Sequence, residues 1–254
     1  MSIVGLALLA PLLLAGAGDE AAGKPTPKAK EALAAAAKLK REASGKKGEE
    51  KLEALTKAAR GYERAARELA DEKPSAAEAS FRAGEIWRTL RHEEDAIRCF
   101  TAAAQEIAAP VFAAKSWIEL GHLERRQKRL DQAMSCYERV LMVTPEQRRE
   151  CMRAMTWQGK LLIDQKKEKD GHATLLAAGQ RFPEFPLDDI KNVDTVAVDW
   201  IQAGRVEEAR SLVEDCVERH SDADEGEDDV EPAVRRALEK MKSRELLAGA
   251  SASK

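Results

Sequence analysis

With 254 residues, 44% apolar and 34% charged, the chain is long enough to bury a core, but only 4% of it is aromatic. That composition suits thin layers of alanine-rich helix and not a thick globular centre. A net charge of −3 with a pI near 6.0 argues against a nucleic-acid binder, which would show a basic excess.

The amino-terminal stretch from Ile3 to Ala17 is almost wholly apolar and ends in Ala15-Gly16-Ala17, a small-x-small cleavage pattern. Residues 1–17 therefore read as a secretory signal removed before Gly18, and the expected location is periplasmic or extracellular. No Lys or Arg precedes the run, whereas Lys24, Lys28 and Lys30 follow it. If the segment were retained, those charges would favour keeping the body in the cytoplasm, and a membrane-anchored protein is the alternative. The run is shorter than the ~20 residues of a spanning helix, and no Cys follows it to carry a lipid. Residues 18–27 mix Gly, Ala, Pro and Lys and read as a flexible leader.

Beyond the leader the sequence repeats. Ala58, Ala96, Ala133, Gly171 and Ala209 recur at intervals of 38, 37, 38 and 38, each followed four residues later by Tyr62, Phe100, Tyr137, Leu175 or Val213. Twelve residues before the last four stand Gly84, Gly121, Gly159 and Ala197. A fixed period of this length marks a repeat array, with one antiparallel helix pair per period. Gly or Ala at the contact lets two helix backbones approach closely, and the large residue one turn further on fills the space beside it.

Within each period more residues fall into register. Trp117, Leu120, Gly121, Ala133, Tyr137 and Pro145 carry the fullest pattern, with Glu124 where a first-helix aromatic is expected. Ser80, Ala83, Gly84, Trp87, Ala96 and Phe100 give a second, and Met155, Gly159, Leu162, Gly171, Leu175 and Pro183 a third. Val193, Ala197, Trp200, Ala209 and Val213 give a looser fourth. Each unit resembles a tetratricopeptide repeat, the likeness covering roughly residues 50–220. It implies an all-α, right-handed α-solenoid of helix hairpins, with four repeats over residues 75–220. Ala58, Tyr62 and Ala65 resemble a degenerate fifth over residues 28–73, out of step upstream because Ser44 to Gly48 forms a loop. The period exceeds the 34 residues of the family. The extra residues are expected in the turns between pairs, where Pro74, Pro110, Pro145 and Pro183 stop helices.

After the repeats, residues 221–230 read as a solvated acidic loop, since Asp222 to Glu231 holds seven acids and no base. A calcium loop would want its glycine sixth, and Gly226 is fifth from Asp222. Glu231 and Pro232 begin a helix in which Val234, Ala237, Leu238 and Met241 share a face, so residues 231–247 read as the polar cap an array needs. Residues 248–254 read as a disordered tail.

No motif proposes an enzyme, a cofactor or a small-molecule substrate. Cys99, Cys136, Cys151 and Cys216 show no paired short spacing, although Cys99 and Cys136 occupy matching places on adjacent units and could bridge if both point inward. The histidines, at 92, 122, 172 and 220, fall one to a unit, and no metal site is expected.

What remains is a surface. In the tetratricopeptide family the first helix of each pair lines a concave groove, which by resemblance assigns partner contact to Phe81, Arg88, Lys115, Ile118, His122, Arg125, Arg126, Arg153, Lys160 and Ile163. The implied partner is a protein or peptide; the middle of that strip is basic and reads either as a solvated charged helix face or as a groove for an acidic peptide or carboxylate. Nucleic acid is not implied, and a membrane only if the leader is retained. The implied function is a non-catalytic scaffold or assembly adaptor of the cell envelope. A helical accessory subunit of an envelope enzyme is the alternative.

Overall fold

Proline marks where several helices begin. Its missing N–H costs nothing in a first helical turn, and Pro27, Pro74, Pro110 and Pro186 each stand at one of the first two positions of a helix. The computed structural model describes residues 24–221, with Arg236, Glu239 and Ser243 beyond them. Among the described residues it consists of α1 (Pro27–Ser44), α2 (Gly48–Glu68), α3 (Lys73–Thr89), α4 (Glu93–Ala104), α5 (Pro110–Arg126), α6 (Leu130–Val143), α7 (Arg148–Asp164), α8 (Glu168–Arg181), α9 (Pro186–Gln202) and α10 (Val206–Ser221). Consecutive helices pack as antiparallel pairs, and α3, α5, α7 and α9 also touch one another in sequence. That continuous layer of first helices is the tighter, concave side of an α-solenoid.

Two sequence expectations change here. Pro74 and Pro110 start helices, while Pro145 and Pro183 lie in connections. Nor does the extra length sit in the turns, which run to five residues at most; it lies in first helices of 17 residues and second helices of 12 to 16.

The turns inside the four regular pairs share one geometry. Arg91, Lys128, Lys166 and Gly204 take positive φ values of 62°, 60°, 65° and 79°. The next residue in each case donates its N–H back to the carbonyl of Trp87, Glu124, Leu162 or Trp200, at 2.8 to 3.0 Å. This is the Schellman closure of a helix, which favours glycine at the left-handed position, yet only Gly204 supplies one.

Small and large residues interlock as the periodicity predicts. A Cβ at Gly84 would stand 2.7 Å from Phe100 Cδ1, one at Gly121 2.8 Å from Tyr137 Cζ, and one at Gly159 2.7 Å from Leu175 Cγ. Ala58, Ala96, Ala133 and Ala209 are buried, as are the large residues one turn beyond them. In the first pair the arrangement inverts: the small residue is Gly61 on α2, and the residue against it is Leu39 on α1. Core side chains gather in three successive clusters along the array, in keeping with nearest-neighbour packing.

No helix among the described residues is long and apolar enough to cross a membrane. The expected signal (1–17), most of the leader, nearly all of the acidic loop, the cap over 231–247 apart from Arg236, Glu239 and Ser243, and the tail over 248–254 lie outside the described residues.

Candidate functional site: a basic strip on the first helices

On α7, Arg153, Trp157 and Lys160 fall at i, i+4 and i+7 and so share one face. His122 and Arg125 of α5 meet them. The Arg125 guanidinium lies 4.7 Å from the centroid of the Trp157 ring and the Lys160 ammonium 5.1 Å from it, both in cation–π range. The His122 ring stands edge-on to the same indole at 4.5 Å. Its Nδ1 is 2.9 Å from the Tyr137 hydroxyl.

Burial among cations controls the ionisation of this group. Desolvation, reinforced by Arg125, Arg153, Arg88 and Arg126, pushes the His122 pKa down to about 4, so the imidazole is neutral at pH 7. Desolvation also lowers Lys160, with Arg125 and Lys191 acting in the same direction.

Part of the positive charge is already matched. Arg88 pairs with Glu119 across α3 and α5, Arg125 with Asp164 at 3.4 Å, and Arg126 with Glu93 of α4 at 3.3 Å, away from the strip. Burial raises the Glu119 pKa despite the opposing pull of Arg88. Among the described residues Lys115, Arg153 and Lys160 make no ion pair, which leaves the strip cationic.

The apolar contacts assigned to this strip are not where the resemblance put them. Phe81 and Ile118 are only 5% and 1% exposed. Phe81 packs on Phe100 and Phe112, and Ile118 belongs to the second core cluster. Ile163 is half-buried and leans on α8, 2.6 Å from where a Gly171 Cβ would stand. The reason is helical: Phe81 and Ile118 precede Gly84 and Gly121 by three residues and Ile163 follows Gly159 by four, which returns each to the packed face. Arg88 and Arg125 share that i+4 offset, but their long stems carry the charge outward. Trp157, two residues from Gly159, is the apolar platform, and the half-buried Glu119 is the counter-charge of Arg88; neither stood among the assigned contacts.

A second polar cluster joins α9 to α10. Asp189 is 1% exposed, and its Oδ2 accepts from Arg219 at 2.6 Å and lies 2.9 Å from His220 Nε2. Among the described residues its Oδ1 has no hydrogen-bond partner, and it rests against Gly179, where a Cβ would overlap the carboxylate. Cys216, one helical turn before His220, completes a set of three ligand-type groups within 4.8 Å. This Cys-x-x-x-His spacing is visible in the sequence and is the signal that a one-His-per-unit reading passes over. The three groups match three of the four ligands of a tetrahedral zinc site in donor chemistry, but Arg219 already supplies a cation to the same carboxylate oxygen, and we read the cluster as an ion-paired lock.

The four cysteines are free; Cys99, Cys151 and Cys216 are buried and Cys136 is half-buried. Burial pushes their thiols up to about 12, 11, 12 and 11 in that order, the opposite of what a nucleophile needs.

Paired helices with Gly-against-ring contacts, stacked through a layer of first helices, make this chain a tetratricopeptide-like α-solenoid. Comparison with solved structures agrees. The likeness to BtubC (BKLC) of P. vanneervenii has a TM-score of 0.52 at 15% identity, over 80% of this chain and 91% of that one. The likeness to nearly identical TPR-like repeats from a Podospora anserina kinesin light chain has a TM-score of 0.52 at 10% identity, over 79% of this chain and all of that one. At these identities the likeness is one of fold. No protein-family model matches the chain, and no curated protein does.

Proposed function

We propose that the chain is a non-catalytic scaffold or assembly adaptor that holds an acidic segment of a partner protein along its first helices. The observation that carries this reading is the Trp157 indole held beside Arg125 and Lys160, with Arg153 and Lys115 on the same strip making no ion pair among the described residues. An aromatic platform next to underused cations offers both contact area and charge selection. The buried, elevated thiols support the non-catalytic part of the reading. The envelope location rests on Ile3 to Ala17; sequencing the amino terminus of the protein from its native source separates a chain starting near Gly18 from a tethered one.

A peptide array tests the binding reading. Segments rich in Asp and Glu with interspersed apolar residues should bind the wild type, and Trp157→Ala or Lys160→Glu should lose them, while the outer-face change Glu138→Lys keeps them. Equal binding by all four proteins would reject the strip as the site.

A further inference from the structure

The ends of the array carry opposite charge. Residues 24–60 hold eleven lysines and arginines against five acids, whereas residues 207–231 hold twelve acids against two arginines. The basic end also has a cavity. Between α1, α2 and α3 lies an open pocket of about 580 Å³ whose apolar lining includes Ala37, Leu55 and Ile86 and whose rim includes Lys40, Arg41 and Lys51. Among the described residues none of those three cations makes an ion pair. The acid of the lining, Glu85, is already held by Arg82 at 3.1 Å. A pocket with an apolar floor and unmatched cations is built for an anionic segment that also carries small apolar residues.

We propose that this pocket receives the segment Asp222–Glu231 of a second copy of the chain, so that copies associate head to tail. The segment has seven acids, no base, and Ala223 and Val230 among them to meet Ala37, Leu55 and Ile86. A copy cannot readily serve its own pocket. The pocket belongs to the first two pairs and the segment follows the fifth, and helix axes pack ~8 to 10 Å apart, so roughly 30 to 40 Å separates them. Ten fully extended residues reach at most ~35 Å and would have little left to fill the site. A contact between unlike ends is heterologous and continues into rings or open chains. The pocket shares Arg88 with the basic strip, but the proposal uses neither that residue nor the Trp157 platform, which lies on α5 and α7.

Sedimentation of the full chain at rising concentration in low salt tests it. The mean mass should climb above the 27.9 kDa monomer and return to it at about 0.5 M salt, where screening is strong. The pocket variant Lys40→Glu/Arg41→Glu/Lys51→Glu and the segment variant Glu225→Lys/Glu227→Lys/Asp228→Lys should each stay monomeric, with helix content unchanged by circular dichroism. Mixed together, they should associate again, because the pocket variant keeps the acidic segment and the segment variant keeps the basic pocket. A wild type that stays monomeric at every concentration overturns the proposal. So does association that survives either variant, or a mixture that fails to associate while both variants are folded.

Discussion

Gly121 faces Tyr137 so closely that a single added methyl group would overlap the phenol ring. The ring is fully buried and cannot swing out without opening the α5–α6 contact. Gly121→Ala should therefore destabilise the chain by about 1 to 3 kcal/mol, the usual cost of overpacking. The exposed change Glu138→Ala should stay within about 0.5 kcal/mol of wild type. Adding Tyr137→Leu to Gly121→Ala should recover part of the loss, and a double-mutant cycle measured by denaturant melting would show it. Strict additivity would mean the two residues do not meet.

Lys128 illustrates a cost carried in three turns. With φ at 60° it sits in the left-handed region, where a side chain costs roughly 1 to 2 kcal/mol and glycine is nearly free. Allowing for the greater freedom of glycine in the unfolded chain, Lys128→Gly should stabilise by about 0.5 to 1 kcal/mol. Gly204→Ala, at φ 79°, should do the reverse. Both changes leave side-chain packing untouched, so thermal melting reads the backbone term directly.

His122 should make stability depend on pH. Its folded-state pKa of about 4 lies below the ~6.5 of an unfolded histidine, so between those values the unfolded chain takes up a proton that the folded chain refuses. The contribution is complete above about pH 6.5 and is lost as pH falls toward 4, on the order of 3 kcal/mol in all. Glu119, whose pKa is raised by burial, works in the opposite sense. Glu63 works with His122: burial would raise its pKa, but hydrogen bonds from Arg98, Trp87 and Cys99 hold it below the ordinary range. Subtracting the profile of His122→Phe removes both carboxylates from the comparison. The difference should grow from pH 6.5 down to 4, and parallel profiles would contradict the assignment.

Much of the fold is legible in the sequence because Gly84, Gly121 and Gly159 announce helix contacts that recur every 37 or 38 residues. The first pair is less legible, since its close approach runs from Gly61 to Leu39 and reverses which helix supplies the small residue. The charge of the strip can be read from Arg125, Arg153 and Lys160, because a long charged side chain reaches water from almost any helical position. Apolar contacts are harder: Phe81 and Ile118 look available until their i−3 offset from a packed glycine is taken into account. Nothing local in the sequence joins Asp189 to Arg219 and His220, which lie 30 and 31 residues away.

That last cluster should hold the end of the array together. Asp189→Ala would leave His220 buried without its partner and free Arg219, which is partly solvated. Breaking a fully buried pair costs about 3 to 5 kcal/mol, and the exposure of Arg219 should bring the loss to about 2 to 3 kcal/mol. Because each pair in such an array packs only on its neighbours, the damage should be local. Hydrogen exchange should accelerate across α9 and α10 and remain unchanged in α3 to α6. Asp189→Asn keeps an acceptor for both donors and should cost less. Since Arg219 already provides the cation, adding EDTA should not alter exchange in α9 and α10. A strong response to the chelator would instead make Asp189, Cys216 and His220 ligands of a bound metal.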